Sequence, residues 1–243
     1  MITITILTKN SSRTLDATLE SAKKFPSILV YDTGSTDETL EIAKKFPNVK
    51  ILQGPFIGFG KTHNAASSLA ESDWILSLDS DEVLSPELAI EILSLSLDPR
   101  SVYIIARDNY FKGKKMRGCA GWYPDPVIRL YNRKETRFSD DAVHEKIQTK
   151  GLNQVVLKHP MKHTPYHSLS DFLVKMDKYS SLFAEENKNK KKSSLGKAIF
   201  HGLHAFFKSY ILKRGFLCGK EGFIISFYNA EVTYYKYLKL WMK

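Results

Sequence analysis

The sequence predicts an α/β fold with a mostly parallel sheet, helices on both faces, and a helical appendage at the C-terminus. Two observations carry this prediction: strand and helix patterns alternate through the first part of the chain, and basic and aromatic residues are concentrated in the last part. With 243 residues and 43% hydrophobic content, the chain can bury a full core. We expect an α/β domain over residues 1–170 and a helical region over residues 171–243.

The first two strand–helix units are visible in the apolar pattern. Ile2–Leu7 alternates as a strand does, and the apolar residues that follow share one helical face: Leu15, Leu19 and Ala22. Ile28–Tyr31 predicts the second strand. Ser35 and Glu38 have the spacing of a capping box, so we expect a helix from there to about Phe46.

Two further units continue the pattern. Val49–Leu52 predicts a strand, a helix is expected from about Thr62 to Ala70, and Trp74–Leu78 predicts the next strand. Ser85 before Pro86 then begins another helix, because proline suits the first helical position. This alternation favours parallel strands, whose ligands bind beyond the carboxyl ends of the sheet.

Polar clusters follow three of these strands, at Thr8–Asn10, Asp32–Ser35 and Asp79–Asp81. Acids in such places can also be helix caps or solvated turns. The alternating carboxylates Asp79 and Asp81 nevertheless supply the hard oxygen ligands that Mg²⁺ or Mn²⁺ shares with substrate phosphates. The pattern therefore predicts a divalent metal and a substrate that carries a diphosphate.

The stretch from Gly54 to Thr62 is an alternative phosphate site, because it is similar to the P-loop of NTPases. A P-loop needs four residues between its first glycine and Gly-Lys-Thr, whereas Gly54 leaves five, and the required position is Pro55. Proline removes a backbone donor from a loop that works by donating N–H groups. The NTPase interpretation is therefore disfavoured.

The net charge of +10 lies entirely in the tail. Residues 188–243 hold 12 Lys and Arg against two acids, whereas residues 1–187 hold 24 basic and 24 acidic residues. Aromatic residues alternate with these bases, as in helices that lie on anionic membrane surfaces. A helical subdomain with a solvated basic face is the alternative. Nucleic-acid binding is not expected, because no RNA- or DNA-binding motif accompanies the charge.

Composition indicates a cytoplasmic location. Two cysteines, Cys119 and Cys218, are too few for a disulfide framework and lack zinc-site spacing. The N-terminal apolar run has no basic segment before it, and no apolar stretch approaches the roughly 18 residues that span a bilayer.

Four motifs in order, ITILTKN, VYDTGSTDETLEIA, GFGKTHNAA and DWILSLDSDEVL, resemble the nucleotide-binding half of family 2 inverting glycosyltransferases, which have the GT-A fold. The resemblance continues through GWYPDPVIRLYNR, RFSDDAVHEKI and KHTPYHSL, and covers roughly residues 1 to 170. Within the family, the chain is most similar to lipopolysaccharide-core β-glucosyltransferases that use UDP-glucose.

The resemblance implies a donor site at the ends of the first strands. Asp32 would hydrogen-bond the uracil ring, and Asp79 would face the ribose or a metal-bound water. The other residues implied to bind the nucleotide sugar are Thr8, Asn10, Gly34, Lys61, Asn64 and Ser80. Close relatives often carry an arginine before the asparagine, where this chain has Lys61-Thr-His.

The same resemblance implies the metal ligands and the catalytic base. Asp81 would ligate the metal directly, and His163 would complete its shell, with His159 and His167 as nearby histidines. Glu145 is the candidate base that removes the proton of the acceptor hydroxyl in a single displacement. The family usually has a Glu-Asp pair there, and its second acid is missing here. The alternative bases are Asp125, Asp140 and Asp141.

The acceptor site is expected around a Gly-, aromatic- and Arg-containing stretch, with Trp122, Tyr123, Asp125 and Arg129 as candidate contacts. The aromatic residues could equally be packing residues. The basic residues of this stretch and of the tail suit an acidic, lipid-linked saccharide at the inner face of a bacterial inner membrane. Two other classes stay open: a nucleotidyltransferase that forms sugar nucleotides, and a catalytically silent nucleotide- or membrane-binding protein.

Overall fold

The structure is a computed structural model and describes residues 1–140 and 145–243. The first half contains β1 Ile2–Thr8, α1 Leu15–Ala22, β2 Ser27–Asp32, α2 Thr39–Ala43, β3 Val49–Gln53, α3 Phe59–Ser68, β4 Trp74–Asp79, β5 Glu82–Leu84 and α4 Pro86–Leu93. The second half contains β6 Ser101–Phe111, β7 Lys114–Lys115, β8 Pro126–Asn132, β9 Asn153–Val156, β10 Met161–Tyr166, α5 Leu169–Asn187, α6 Leu195–Phe207 and α7 Gly219–Trp241. A π-helical segment, Lys208–Leu212, and a 3₁₀ helix, Gly215–Cys218, join α6 to α7.

The strands form one mixed sheet in the order β3-β2-β1-β4-β8-β6-β10-β5, with β7 and β9 paired to β6. Strands β3, β2, β1 and β4 are parallel neighbours, whereas β8 is antiparallel to both β4 and β6. The predicted fold class, a mostly parallel α/β sheet followed by C-terminal helices, is confirmed.

Helices cover both faces of the parallel strands because successive side chains point to opposite faces. In β2, Ile28 and Val30 join a buried cluster that includes residues of α1 and α4. Leu29 and Tyr31 join a different cluster, which contains Ala66 of α3. Strands β1, β2 and β4 are thus buried on both faces, their polar positions included.

Helix α2 differs from its prediction. It begins at Thr39 rather than near Ser35, and Glu38 forms no side-chain cap. The capping-box prediction is wrong because the Ser35 hydroxyl donates to Asp32 instead, so it is committed to the turn that precedes the helix. Helix α3 begins one turn earlier than expected, at Phe59. Helix α4 begins at Pro86, as predicted, and Ser85 Oγ caps it by accepting from Leu88 N at 3.1 Å.

The chain forms two compact units by its internal contacts. Unit 1 comprises Met1–Arg107 and Pro126–His163, and unit 2 comprises Asp108–Asp125 and Thr164–Lys243. Unit 2 has its own aromatic core, which includes Phe111, Trp122, Tyr166, Phe172 and Tyr228. The domain division after residue 170 stays a prediction. Within the described ranges, no helix combines the length and the apolar character that crossing a bilayer requires.

Candidate functional site

Three adjacent parallel strands end in predicted site residues. Thr8 of β1 lies opposite Asp32 of β2, and Leu7 of β1 lies opposite Asp79 of β4. The carboxyl ends of β1, β2 and β4 are therefore level with one another. The sheet brings the Thr8–Asn10, Asp32–Ser35 and Asp79–Asp81 clusters to one edge, where ligands of such sheets bind.

Asp32 is fully buried and both of its carboxylate oxygens accept hydrogen bonds. Oδ1 accepts from the hydroxyls of Thr8, at 3.3 Å, and Ser35. Oδ2 accepts from the backbone N–H groups of Gly34 and Ser35, at 3.1 and 3.0 Å, and from Gln53. Burial raises the pKa of Asp32, but these hydrogen bonds outweigh it and lower the pKa below its ordinary value. Asp32 thus organises its turn as an ionised carboxylate.

The turn after β2 is tied to the end of β1 through Asn10. Asn10 has a left-handed φ of 53°, which asparagine tolerates better than most residues. Its Oδ1 accepts from Thr36 N at 2.8 Å, and its own N–H donates to Ser35 Oγ at 2.9 Å. Gly34 has a φ of 99°, which an L side chain rarely adopts. The two loops form one hydrogen-bonded rim above Thr8 and Asp32.

Asp79 belongs to a charged cluster together with Glu82, Arg107 and Arg129. The guanidinium Nη2 of Arg129 donates both to Asp79 Oδ2 and, at 2.5 Å, to Glu82 Oε1. Arg107 Nη1 lies 3.2 Å from Glu82 Oε1 and 3.9 Å from Asp79 Oδ2. Glu82 Oε2 also accepts from the backbone N–H of Asp79 at 3.0 Å. Two arginines and two acids therefore fix the end of β4.

This cluster shifts the pKa values of its members in opposite directions. Burial raises the pKa of Asp79, but Arg129, His63 and Arg107 lower it far more. Burial raises the pKa of Glu82 above its ordinary value despite the neighbouring Arg129. Burial alone would lower the pKa of Arg129, yet Asp79 and Glu82 raise it, so the guanidinium stays charged.

Asp81 lies beside a histidine at the same edge. The Nε2 atom of His163, on β10, is 3.6 Å from Asp81 Oδ1. This approach follows from the pairing of β10 with β5, which sets His163 opposite Glu82. The Ser80 hydroxyl is 2.9 Å from that of Ser11, and the Ser80 carbonyl accepts from Thr18 Oγ1 at 3.0 Å. The backbone between the two aspartates is thus held on α1.

A carboxylate and an imidazole at this distance fit a divalent cation that takes its remaining ligands from a substrate. Mg²⁺ and Mn²⁺ accept oxygen ligands, and Mn²⁺ also accepts imidazole. Across residues 1–140 and 145–243, no group of three or more His, Cys, Asp or Glu side chains is arranged to hold a metal. Asp81 and His163 supply two donors, so an ion held between them would need further ligands from outside this pair.

Helix α3 carries two candidate nucleotide contacts and a buried histidine. Lys61 is exposed, whereas the amide of Asn64 donates to Phe138 O at 3.0 Å and accepts from Phe138 N at 2.9 Å. His63 is buried, stacks on Phe138 and lies 3.2 Å from Ser77 Oγ through Nδ1. Burial lowers the pKa of His63 to about 4. Asn64 thus anchors the chain before Glu145.

Glu145 follows this anchored segment in the chain. Phe138 bridges Ile147, and Ser139 N donates to Lys146 O at 2.8 Å, so backbone pairs flank Glu145 and its alternative Asp140. Asp140 Oδ2 is 3.4 Å from Arg137 Nη2. The third alternative, Asp141, and residues 142–144 lie outside the described residues. The role of Glu145 stays a prediction.

The candidate acceptor contacts differ in exposure. In unit 2, Trp122 is buried and its ring stacks on that of Tyr166, as expected of a packing residue, whereas Tyr123 is 45% exposed. Asp125 Oδ2 accepts from Asn109 Nδ2 at 2.8 Å. In unit 1, Arg129 is buried against Asp79 and Glu82. Tyr123 therefore offers the largest free surface of these four side chains.

Sequence reasoning overlooked Glu82, Arg107 and His63. Glu82 stands in the quoted acidic motif, but its burial depends on β5 and on two arginines from strands that follow it in the chain. Arg107 belongs to β6, which carries no motif. One feature could have pointed to His63: it lies one residue before Asn64, on the buried side of α3.

Comparison with known proteins gives one match to a family and several relatives. Residues 3–156 match the family described as Glycosyl transferase family 2. An uncharacterized glycosyltransferase of Rickettsia felis is 29% identical over 97% of this chain and 87% of its own length, and one of Rickettsia typhi is 29% identical over 97% and 85%. S. aureus TarS 1-349, solved in complex with UDP-GlcNAc, is 19% identical over 94% of this chain and 79% of that chain, with a TM-score of 0.49. Because the matched family covers more than half of its residues, the chain belongs to glycosyl transferase family 2.

Proposed function

We propose that this glycosyltransferase moves a hexose, glucose from UDP-glucose, onto a lipid-linked saccharide of the lipopolysaccharide-core type, with inversion at the anomeric carbon and with Mg²⁺ or Mn²⁺ bound. The observation that carries the proposal is the pair Asp81 and His163, 3.6 Å apart at the edge where β1, β2 and β4 end. Family membership supplies the reaction class, and the motif resemblance supplies the donor.

The donor site would be built on the rim above Asp32. The two loops are held together by hydrogen bonds of Asp32, Thr8, Gly34 and Asn10. The exposed edges of these loops would meet the uracil and ribose. Asp32 itself has both oxygens engaged, so its contribution to uracil binding would come largely through the shape of the turn that it fixes. Lys61, which is exposed on α3, and Ser80 are the further polar contacts that we assign to the nucleotide.

The diphosphate would lie beside Asp79 and Asp81. Asp81 and His163 would hold the cation, and Asp79 would meet the ribose or a metal-bound water while Arg129 and Arg107 keep it ionised. When bound, the cation supplies a positive charge that stabilises the leaving diphosphate. The buried Glu82 and Arg129 fix the backbone that carries both aspartates, so that the ligands are in place before the substrate arrives.

Glu145 would act as general base. Its carboxylate would take the proton of the acceptor hydroxyl as that oxygen forms a bond to the anomeric carbon and the bond from this carbon to the diphosphate breaks. Both events occur at one carbon from opposite sides, which inverts its configuration. UDP leaves as the trianion, because the electrons of the broken bond stay on its terminal phosphate, and the proton remains on Glu145.

The acceptor is proposed to be lipid-linked, and the enzyme to lie peripherally on the inner face of the bacterial inner membrane. Supporting this are the tail's net charge of +10 and the many exposed apolar side chains of α6 and α7. Tyr123 is the aromatic residue free to meet an acceptor sugar, and Asp125 lies beside it in the chain.

Product analysis tests the reaction class. The protein is incubated with Mn²⁺, UDP-glucose and lipopolysaccharide-core acceptors, and the released nucleotide is identified by anion-exchange chromatography. We expect UDP and a glycosylated acceptor in equal amounts. A parallel incubation contains UTP and a sugar phosphate, and release of pyrophosphate there would instead show a nucleotidyltransferase. No turnover in either incubation, with any acceptor, would favour a silent binding protein.

A further inference from the structure

We propose that an apolar face of unit 2 docks on an anionic lipid bilayer and inserts its side chains among the headgroups. This apolar face consists of Phe200, Leu203 and Phe207 of α6, Phe216 of the 3₁₀ helix, and Phe223 and Phe227 of α7. The inference rests on the proposed function in one point, that the enzyme works at a membrane. It assigns the contact to particular residues.

The six side chains are unusually exposed for their type. Phe200 and Leu203 are each 67% exposed, and the other four range from 47% to 51%. Isolated exposed apolar residues are normal, whereas contiguous apolar patches on a monomer mark interaction or membrane surfaces. The face therefore has the character of a surface that is covered when the protein works.

Ring contacts connect the members of this face on the 3₁₀ helix and α7 to two aromatic residues that precede them in the chain. Phe223 is 6.2 Å from Phe227 and 5.8 Å from Tyr210, measured between ring centroids. Tyr210 in turn is 6.3 Å from Phe216 and 5.3 Å from Phe206. The half-buried Phe206 and Tyr210 thus support the exposed rings of Phe216 and Phe223.

Helix α6 cannot turn this face inward, because its opposite side is already packed on α7. Ala198 is fully buried, and a Cβ added at Gly202 would lie 3.2 Å from Tyr234 Cβ and 3.3 Å from Ala230 O. Gly202 therefore permits a close helix–helix approach. The exposed residues recur at positions 200, 203 and 207, on the side away from that contact.

The charge around the face selects an anionic partner. Residues 195–220 contain five basic residues and no acid: Lys197, Lys208, Lys213, Arg214 and Lys220. All five are exposed. Lys and Arg next to apolar side chains attract acidic headgroups while the rings settle at the acyl boundary. A dimer formed through this face would instead bring the five positive charges of one copy against the same five charges of the other, and these would repel.

Vesicle co-sedimentation of the full chain tests the inference. Phosphatidylcholine vesicles with and without phosphatidylglycerol are used, with wild type and three double variants. Phe200→Ser/Leu203→Ser removes the most exposed apolar side chains, and Lys208→Glu/Lys213→Glu reverses two charges. The matched control is Ile90→Ser/Leu93→Ser on α4, where exposed aliphatic residues lie beside Glu87 and Glu91.

We expect the wild type to sediment with phosphatidylglycerol vesicles and to bind pure phosphatidylcholine at least tenfold more weakly. Both surface variants should bind the anionic vesicles at least fivefold more weakly, and the α4 control should match the wild type. Circular dichroism melts identify any variant that has unfolded. For such a variant, the single change Phe200→Ser or Lys208→Glu is tested in its place.

Several results would overturn the inference. These are no binding of the wild type to anionic vesicles, an equal loss in the α4 control, and a wild-type dimer that Phe200→Ser/Leu203→Ser converts to monomer. Tighter binding to an RNA homopolymer than to vesicles would also overturn it. UDP titration of the same proteins separates the two proposals: absent UDP binding with intact vesicle binding overturns the donor assignment and leaves the membrane surface standing.

Discussion

His163 Nε2 lies 3.6 Å from Asp81 Oδ1, although 82 positions separate the two residues in the chain. The contact exists because β10 runs antiparallel to β5, directly after the acidic motif. The pairing of β10 with β5 thus places the His163 imidazole at the edge of the sheet where Asp79 and Asp81 lie. The pair supports the metal assignment, and the cluster of Asp79, Glu82, Arg107 and Arg129 beside it holds the edge in shape.

A substitution at Arg129 distinguishes a structural role of this residue from a role in binding the acceptor. Arg129→Met removes the buried cation that contacts Asp79 and Glu82, so we expect a loss of roughly 3–5 kcal/mol in the free energy of unfolding. Urea denaturation measures it. The double variant Arg129→Met/Glu82→Gln should recover part of the loss, because one unpaired charge is removed. Unchanged stability with a raised KM for the acceptor would instead place Arg129 on the acceptor.

Trp122 and Tyr123 are neighbours with opposite expected behaviour. Trp122→Ala empties a buried position among Phe111, Tyr166 and Phe172, and should cost roughly 3–5 kcal/mol of stability. Tyr123→Ala removes an exposed ring, and should change stability by less than about 0.5 kcal/mol while raising the KM for the acceptor. Thermal melts and steady-state kinetics on both variants test this. An unaltered KM in Tyr123→Ala would remove it from the acceptor site.

His63 should make stability depend on pH. Burial lowers its pKa to about 4 in the folded protein, from 6.5. As pH falls between these values, the unfolded chain binds a proton that the folded protein does not, so stability decreases by up to about 3 kcal/mol and is constant for this group above the range. Chemical denaturation from pH 7 to 4 measures the slope. His63→Asn should flatten it, and an equal slope in both proteins would assign the effect to other groups.

Glu145 is expected to act in the chemical step alone. Glu145→Gln keeps the shape of the side chain but cannot accept the proton, so kcat should fall by roughly 10²-fold or more. The affinity for UDP should stay within about twofold of wild type. Asp140→Asn is the matched control, since this exposed acid pairs with Arg137 nearby. The assignment fails if Asp140→Asn loses turnover and Glu145→Gln keeps it.

The order of the elements was readable from the sequence because three of the four parallel strands, β1, β2 and β4, are buried on both faces. Their apolar runs are local signals, and so are the proline and serine that begin α4. The start of α2 was not readable in the same way. Ser35 is a residue type that often caps helices, but its hydroxyl donates to the buried Asp32 three residues before it, so it does not cap α2.

The sequence predicted only those parts of the site whose residues are close together in the chain. The three polar clusters follow their strands directly, so their meeting at one edge follows from parallel pairing. The partners of Asp79 and Glu82 come from β6 and β8, which pair antiparallel, and no local pattern reports that pairing. Trp122 could be either a packing or a binding residue by composition. Its burial is a property of the aromatic cluster in unit 2.

Isothermal titration calorimetry with UDP, with and without Mn²⁺, tests the central claim most directly. Wild type is compared with Asp81→Ala and His163→Ala, and GDP and ATP serve as competing nucleotides. We expect UDP to bind selectively and only with Mn²⁺, with affinity reduced at least tenfold in both variants and a folded sheet by circular dichroism. Equal, metal-independent UDP binding in all three proteins, or a preference for ATP, would contradict the assignment of Asp81 and His163.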